Sequence, residues 1–213
     1  MKTHRFFILA IAAAFFASCS EQTVTPAIPQ DKDIEVKVEK LLKKMTLEEK
    51  VGQMTQLATT VVANGLEITP EGENLLRTYK IGSVLNTPAD IAQNPEGYNK
   101  YIKELNRIAI EETGIPILYG LDHIHGTSYV VGGTLFPQEI SLAASFNREH
   151  AYNMGKVTAY ESRAANVPWT FSPTMDLGRN PEWSRMWESF GEDAYVNAQM
   201  AIAEVSGMQG EDP

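Results

Sequence analysis

The hydrophobic positions change period along the chain, and the changes mark out its elements. Val38, Leu41, Leu42 and Met45 recur at helical spacing with lysines and glutamates between them, which predicts an amphipathic helix. Thr46-Leu47-Glu48-Glu49 sets a Thr three residues ahead of a Glu, the spacing of a capping box, so a second helix is expected to start there. From Val51 to Thr60 the pattern fits a first strand or a continued helix. Three later runs are short, apolar and bounded by turn residues. They are Ile81–Leu85 (IGSVL), Ile115–Leu121 (IPILYGL) after a helix ending at Gly114, and Pro168–Met175 (PWTFSPTM) after a helix from about Arg148 to Ala165. A last helix is expected from Ala194 to Met208, with Ala, Val, Ile and Met on its inner face. Strands separated by helix-bearing segments predict an α/β protein with a parallel sheet.

The N-terminus has a different pattern. Lys2, His4 and Arg5 precede an apolar run from Phe6 to Ala17, shorter than the ~20 residues a spanning helix needs. Small residues follow, ending at Ala17-Ser18-Cys19. This reads as an export signal over residues 1–19, of lipoprotein type, in which Cys19 becomes the lipidated first residue. Removing Lys2 and Arg5 with it takes the formal charge from −9 to −11. Cys19 is the only cysteine, so no disulfide can staple the domain. Gln22 to Lys32, rich in Pro, Thr and polar residues, reads as a flexible spacer, which assigns 20–33 to the spacer and 34–213 to the folded domain. The 213 residues, 43% hydrophobic and 21% charged, suit one soluble domain with a real core. The acidic balance, without a basic patch interleaved with aromatics, argues against nucleic acid as a partner.

Polar chemistry gathers just after the strands: Asn86-Thr87, Asp122-His123 and Asp176. Functional groups collect there both in (β/α)8 barrels and in doubly wound sheets. A nucleotide binder should also show GxGxxG or GxxxxGK[ST]; neither occurs, and Gly132-Gly133-Thr134 reads as a short turn. Asp122, His123 and His125 lie close enough in sequence to suggest a metal, but strand alternation sends Asp122 and His123 to opposite sides. His125 then reads as a histidine bonded to backbone near a barrel floor. Asp122 is either a turn cap or an acceptor for two neighbouring sugar hydroxyls. The stretch GRNPEWSRMWESFGED (Gly178–Asp193) holds Arg179 and Arg185, either of which can grip a carboxylate or a diol. Glu188 and Glu192 lie beside these arginines, which suits ionised, structural carboxylates better than a catalytic pair. The Asn-Pro and Phe-Gly steps argue against a continuous helix. No GxSxG elbow is present, and Ser172 reads as a strand-end residue.

Taken in order, KMTLEEKVGQM (Lys44–Met54), GIPILYGLDHIHG (Gly114–Gly126), TLFPQEISLAASFN (Thr134–Asn147), AYESRAANV (Ala159–Val167) and FSPTMDLGRNPEWSRMWESFGED (Phe171–Asp193) resemble glycoside hydrolase family 3 over nearly the whole mature chain. The likeness is to its β-glucosidase and exo-β-glucan hydrolase branch. The Asp-Gln-Glu-Gly-Gly type motif usual in its β-N-acetylglucosaminidase branch is absent. The resemblance implies the first half of a TIM-like (β/α)8 barrel, ending after about four strands, and a retaining exo-β-glucosidase that needs no cofactor or metal. It implies that Asp122 and Arg185 bind the terminal sugar of an oligosaccharide or β-glucoside. Ser184 stands where the family commonly has Gly. The family's sugar-binding Lys-His pair, nucleophilic Asp and acid/base Glu have no match here. The resemblance therefore implies a longer enzyme, of which these residues alone would be inactive. The other readings are a β-xylosidase or another exo-glycosidase of the family, or a non-catalytic sugar-binding lipoprotein. An exported protein touching the membrane only through its lipid anchor is expected.

Overall fold

A computed structural model describes residues 31–210. The expected export signal, Cys19 and most of the expected spacer lie outside the described residues. Two compact units are present, one through Lys44 and one from Met45.

The first unit contains helix α1 (Lys32–Leu42). Asp31 caps it by accepting from the Asp33 and Ile34 N–H groups, and Asp33 and Glu35 favour the positive end of its dipole. The helix therefore begins within the last two residues of the segment read as spacer. Its apolar residues Ile34, Val38, Leu41 and Leu42 are all exposed. Among the described residues no helix is long and apolar enough to cross a membrane.

The second unit opens with α2 (Leu47–Gln53). The capping box is present in full: Thr46 Oγ1 accepts from Glu49 N at 3.2 Å, and the Glu49 carboxylate accepts from Thr46 N at 2.8 Å. The ambiguous stretch resolves into the end of this helix, strand β1 (Gln56–Ala58) and a single turn α3 (Thr59–Val62). A small hairpin, β2 (Ala63–Asn64) and β3 (Glu67–Ile68), precedes α4 (Pro70–Tyr79). Then come β4 (Ser83–Leu85), α5 (Pro95–Thr113), β5 (Leu118–Leu121), the short α6 (Glu139–Ala143), α7 (Arg148–Ala164), β6 (Trp169–Thr170) and α8 (Ala194–Gln209). Strands β1, β4, β5 and β6 pair in that order, every pair parallel, with Val84 opposite Tyr119 and Leu121 opposite Thr170. This is an α/β fold whose strands run in barrel order, and the four described strands do not close on themselves. β6 is shorter than the expected run from Pro168 to Met175, because the chain leaves the sheet after Thr170.

One core lies between the sheet and α5. The helix turns Tyr98, Tyr101, Ile102, Leu105, Ile108 and Ala109 inward at three- and four-residue steps, against Val84, Tyr119 and Leu121. Tyr98 and Tyr101 meet the Tyr119 ring at centroid distances of 6.2 and 5.9 Å. Each buried phenol finds a partner, as buried hydroxyls must. Tyr101 bonds the Thr59 hydroxyl, Tyr98 donates to the Tyr129 carbonyl at 2.9 Å, and Tyr119 donates to the Asn86 carbonyl. Gly114, with φ 72°, ends α5 in the left-handed conformation that glycine adopts without penalty. On the outer side Arg77 of α4 bonds Glu73 and reaches Glu111 of α5, each at 2.8 Å.

A second core joins α6, α7 and α8 through Leu142, Ala143, Ala151, Met154, Met200, Ala201 and Phe190. The inner face of α8 differs from the expected one. It carries the expected Met200 and Ala201 but also Asn197, Glu204 and Gly207, while Ile202 is 60% exposed, because close approach to α7 at the glycines fixes which positions face inward. A Cβ on Gly155 would stand 2.2 Å from the Glu204 carbonyl oxygen, and one on Gly207 2.0 Å from that of Tyr152. Gly155→Ala is therefore expected to lower stability by about 2–3 kcal/mol, measured by chemical denaturation. A change within ~0.5 kcal/mol would show that the two helices can part without loss.

Candidate active site

The segments that leave the carboxyl ends of β4 and β5 meet in a pocket of about 290 Å³, lined by Asn86, Thr87, Asp90, Leu121, Asp122 and Tyr129. Both walls are pinned from below, since the Asn86 and Tyr129 carbonyls are the ones that accept from Tyr119 and Tyr98. The β4 wall is held in an unusual backbone: Asn86, Ala89 and Asp90 have φ of 74°, 55° and 54°. Left-handed residues other than glycine persist only where surrounding contacts impose them.

Asp122 follows β5 directly and is half-buried in this pocket. Burial raises its carboxyl above the ordinary aspartate range, the Arg185 charge opposes the rise, and the Glu188 charge adds to it. The turn that carries Arg185 thus reaches the field of Asp122, as the sequence brings them only through folding. Arg185 precedes a 3₁₀ turn, Met186–Glu188, and its Nε donates to Glu188 Oε2 at 2.8 Å. Hydrogen bonding to Glu188, then the charges of Glu188, Asp122 and Asp176, hold the guanidinium firmly protonated. Its side chain stays 56% exposed while that of Glu188 is 14% exposed, so the acid forms the seat and the arginine faces outward. Glu188 is thus bonded to Arg185, its near neighbour in the chain. Glu192 contributes differently from expectation: its backbone carbonyl, not its carboxylate, accepts from Arg179 Nε at 3.3 Å. Trp187 is half exposed, so it does not clamp the loop by burial.

His123 points away from Asp122, as strand alternation requires. It is fully buried, its Nδ1 is 2.7 Å from Ser162 Oγ of α7, and its ring stacks on Tyr129 at 6.3 Å. Burial pushes its pKa down to about 4, so at neutral pH it braces Tyr129 as a neutral ring. His125 Nδ1 donates to the Phe136 carbonyl at 2.9 Å, the expected backbone bond. It follows the carboxyl end of β5 by four residues, in a segment bridged between Gly126 and Leu135. Among the described residues no group of three or more His, Cys, Asp or Glu is placed to hold a metal. Sequence reasoning missed Tyr129 and Asp90 as pocket walls, and it missed a buried pair of acids, Glu139 and Glu204, that meets at Ser172. Glu204 left a trace: it shares a helical face with Asn197, Met200 and Gly207.

A half-buried acid and an outward arginine thus stand at the carboxyl end of a parallel sheet, the one a hydrogen-bond acceptor and the other a donor. The profile of the glycosyl hydrolase family 3 N terminal domain matches residues 46–212. The chain belongs to that family. It is 42% identical over 185 residues to a lysosomal beta glucosidase of Dictyostelium discoideum, covering 81% of this chain and 22% of that protein. It is 33% identical over 190 residues to a periplasmic beta-glucosidase of Salmonella typhimurium, covering 88% of this chain and 22% of that one. Among solved structures, an exo-1,3/1,4-beta-glucanase from a Pseudoalteromonas species superposes with a TM-score of 0.76 at 34% identity, over 86% of this chain and 23% of the other. The family 3 chain thus spans about a fifth of the length of these relatives, and its four-stranded α/β sheet corresponds to part of the family's TIM-barrel-like N-terminal domain.

Proposed function

We propose that the full-length protein is a retaining exo-β-glucosidase, exported and held at a membrane by a lipid on Cys19, and that Asp122 and Arg185 position the sugar at the non-reducing end. The observation that carries this reading is the pocket in which Asp122 is desolvated beside the Arg185 charge. An ionised carboxylate offers paired acceptors to two neighbouring hydroxyls, and in a partly dry pocket such bonds are stronger than in water. Arg185, seated on Glu188, supplies donors to the same ring. The bond-breaking carboxyls, one a nucleophile and one an acid/base, are expected beyond this sequence. Fixing the sugar against them converts binding into rate. The likeness to glucosidases and a glucanase supports glucose as the glycone, and the periplasmic relative supports export.

A panel of aryl glycosides tests the reading. Turnover of the β-glucoside at least about tenfold faster than of the β-xyloside is expected, since each missing contact in a well-fitted site costs about 1–3 kcal/mol. A preference for the xyloside would replace the glucosidase reading with the xylosidase one, and no turnover of any member would favour a sugar-binding protein. Arg185→Lys keeps the charge but loses the planar fork, so KM is expected to rise about tenfold with a smaller change in kcat. Unchanged KM would remove Arg185 from the sugar.

A further inference from the structure

Glu139 at the start of α6 and Glu204 in α8 are both fully buried. Ser172 Oγ donates to Glu204 Oε1 at 2.6 Å. Glu139 Oε1 lies 3.4 Å from that hydroxyl and accepts from Thr174 N at 3.4 Å. A hydroxyl has one proton to give, so with Glu204 served, only the long Thr174 bond remains for Glu139. The Oε2 atom of each carboxyl has no partner. The charged group on the adjoining turn that bears on Glu139, besides Glu204 itself, is also acidic: Glu188. Among the described residues no lysine, arginine or histidine bonds either carboxyl. Burial pushes Glu204 up to about 7, and burial together with the Glu204 charge pushes Glu139 higher still.

The pair is built into the support of the Arg185 turn. Helix α6 packs against Met186–Glu188. Thr174, which donates to Glu139, forms a β-bridge with Ser189, the residue after Glu188, and Glu188 holds the Arg185 guanidinium. Phe190 anchors the far end of the turn in the core between α6, α7 and α8.

We propose that Glu139 and Glu204 are positioning residues that share a proton, and that loss of this proton loosens the Arg185 turn. With the proton in place, one carboxyl can donate where the other accepts, and the junction of α6, α8 and the segment after β6 stays closed. Without it two carboxylates confront each other in a dry site, with no cation among the described residues bonded to either. The sign follows from the raised folded values. The contribution of each group to stability is complete below the ordinary glutamate value of 4.5 and is lost as pH rises through the folded one, near 7 for Glu204 and near 9 for Glu139, so the last shared proton leaves at the upper value. The link to sugar binding rests on the assignment of Arg185 made above; the link to the turn does not.

The test uses the full-length protein and the variants Glu204→Gln and Glu139→Gln. Glutamine imitates a protonated carboxyl and cannot ionise. Three properties are followed from about pH 6 to pH 10: melting temperature, emission from Trp183 and Trp187 on either side of Arg185, and the Kd for glucose. In the wild type, melting temperature is expected to fall as pH rises from 6, and the emission to shift as pH passes about 9, where the last shared proton leaves, with glucose bound about tenfold more weakly at the upper end. Glu204→Gln should melt no lower than the wild type at pH 6 and flatten both the melting and the emission transitions. The proposal is overturned if both variants keep the wild-type transitions. It is equally overturned if Glu204→Gln melts well below the wild type at pH 6, because an ionised Glu204 would then be meeting a cation elsewhere in the protein. If glucose fails to bind at every pH while melting and emission behave as expected, the glucosidase reading falls and the proton-sharing pair stands.

Discussion

In the full-length protein, Asp122→Ala is expected to lower kcat/KM for an aryl β-glucoside by about a thousandfold, roughly 4 kcal/mol. The magnitude comes from two hydrogen bonds to an ionised acceptor, each worth about 1.5–3 kcal/mol when the site is desolvated. Asp122→Asn keeps an acceptor oxygen but loses the charge, so a smaller loss is expected. Both variants should melt with the wild type. No hydrogen bond of Asp122 is found among the described residues, and its burial works against its charge, so its removal takes no support from the fold. The acid limb of sugar affinity should also lie above the ordinary aspartate value of 3.8, because Asp122 loses its charge as pH falls through a raised pKa. Near-wild-type kcat/KM in Asp122→Ala would end the assignment of this residue to the sugar.

Tyr119→Ala should have the largest effect on stability, a loss of about 3–5 kcal/mol in chemical denaturation. The ring is fully buried and touches both Tyr98 and Tyr101, so the void cannot be refilled from one side. Its hydroxyl also serves the Asn86 carbonyl at the rim of the pocket. Tyr119→Phe separates the two roles. It preserves the packing, should cost only about 1 kcal/mol, and should raise KM by releasing the left-handed Asn86 turn. A loss below about 1 kcal/mol for the alanine variant would mean that the three rings do not form a common core.

Much of this architecture is legible in the sequence, for identifiable reasons. Thr46 and Glu49 announce α2 because a capping box is local chemistry. Gly114 ends α5 because the left-handed cap favours glycine. The strand positions follow from apolar runs between turn residues, and the opposite fates of Asp122 and His123 follow from the two-residue period. Features fixed by contacts between distant segments were not legible. The approach of α7 and α8 through Gly155 and Gly207 put Asn197 and Glu204 on the inner face of α8 beside the expected Met200 and Ala201, and left Ile202 outside it. The meeting of Glu139, Ser172 and Glu204 joins residues more than thirty positions apart in sequence, with no common period. The pairing of Arg179 with a backbone carbonyl instead of a side chain depends on how the loop turns back on itself.

The order of strands in the sheet is also their order in the chain, β1, β4, β5 and β6, with only the small β2–β3 hairpin set apart. Each strand docks beside the one made before it and needs nothing made later. Closing each successive loop is a short-range event whose entropy cost grows only slowly with length. A chain emerging from the ribosome can therefore lay down this sheet in the direction of synthesis, each strand serving as template for the next. Among the described strands β6 is then the last to join, with only β5 as its partner.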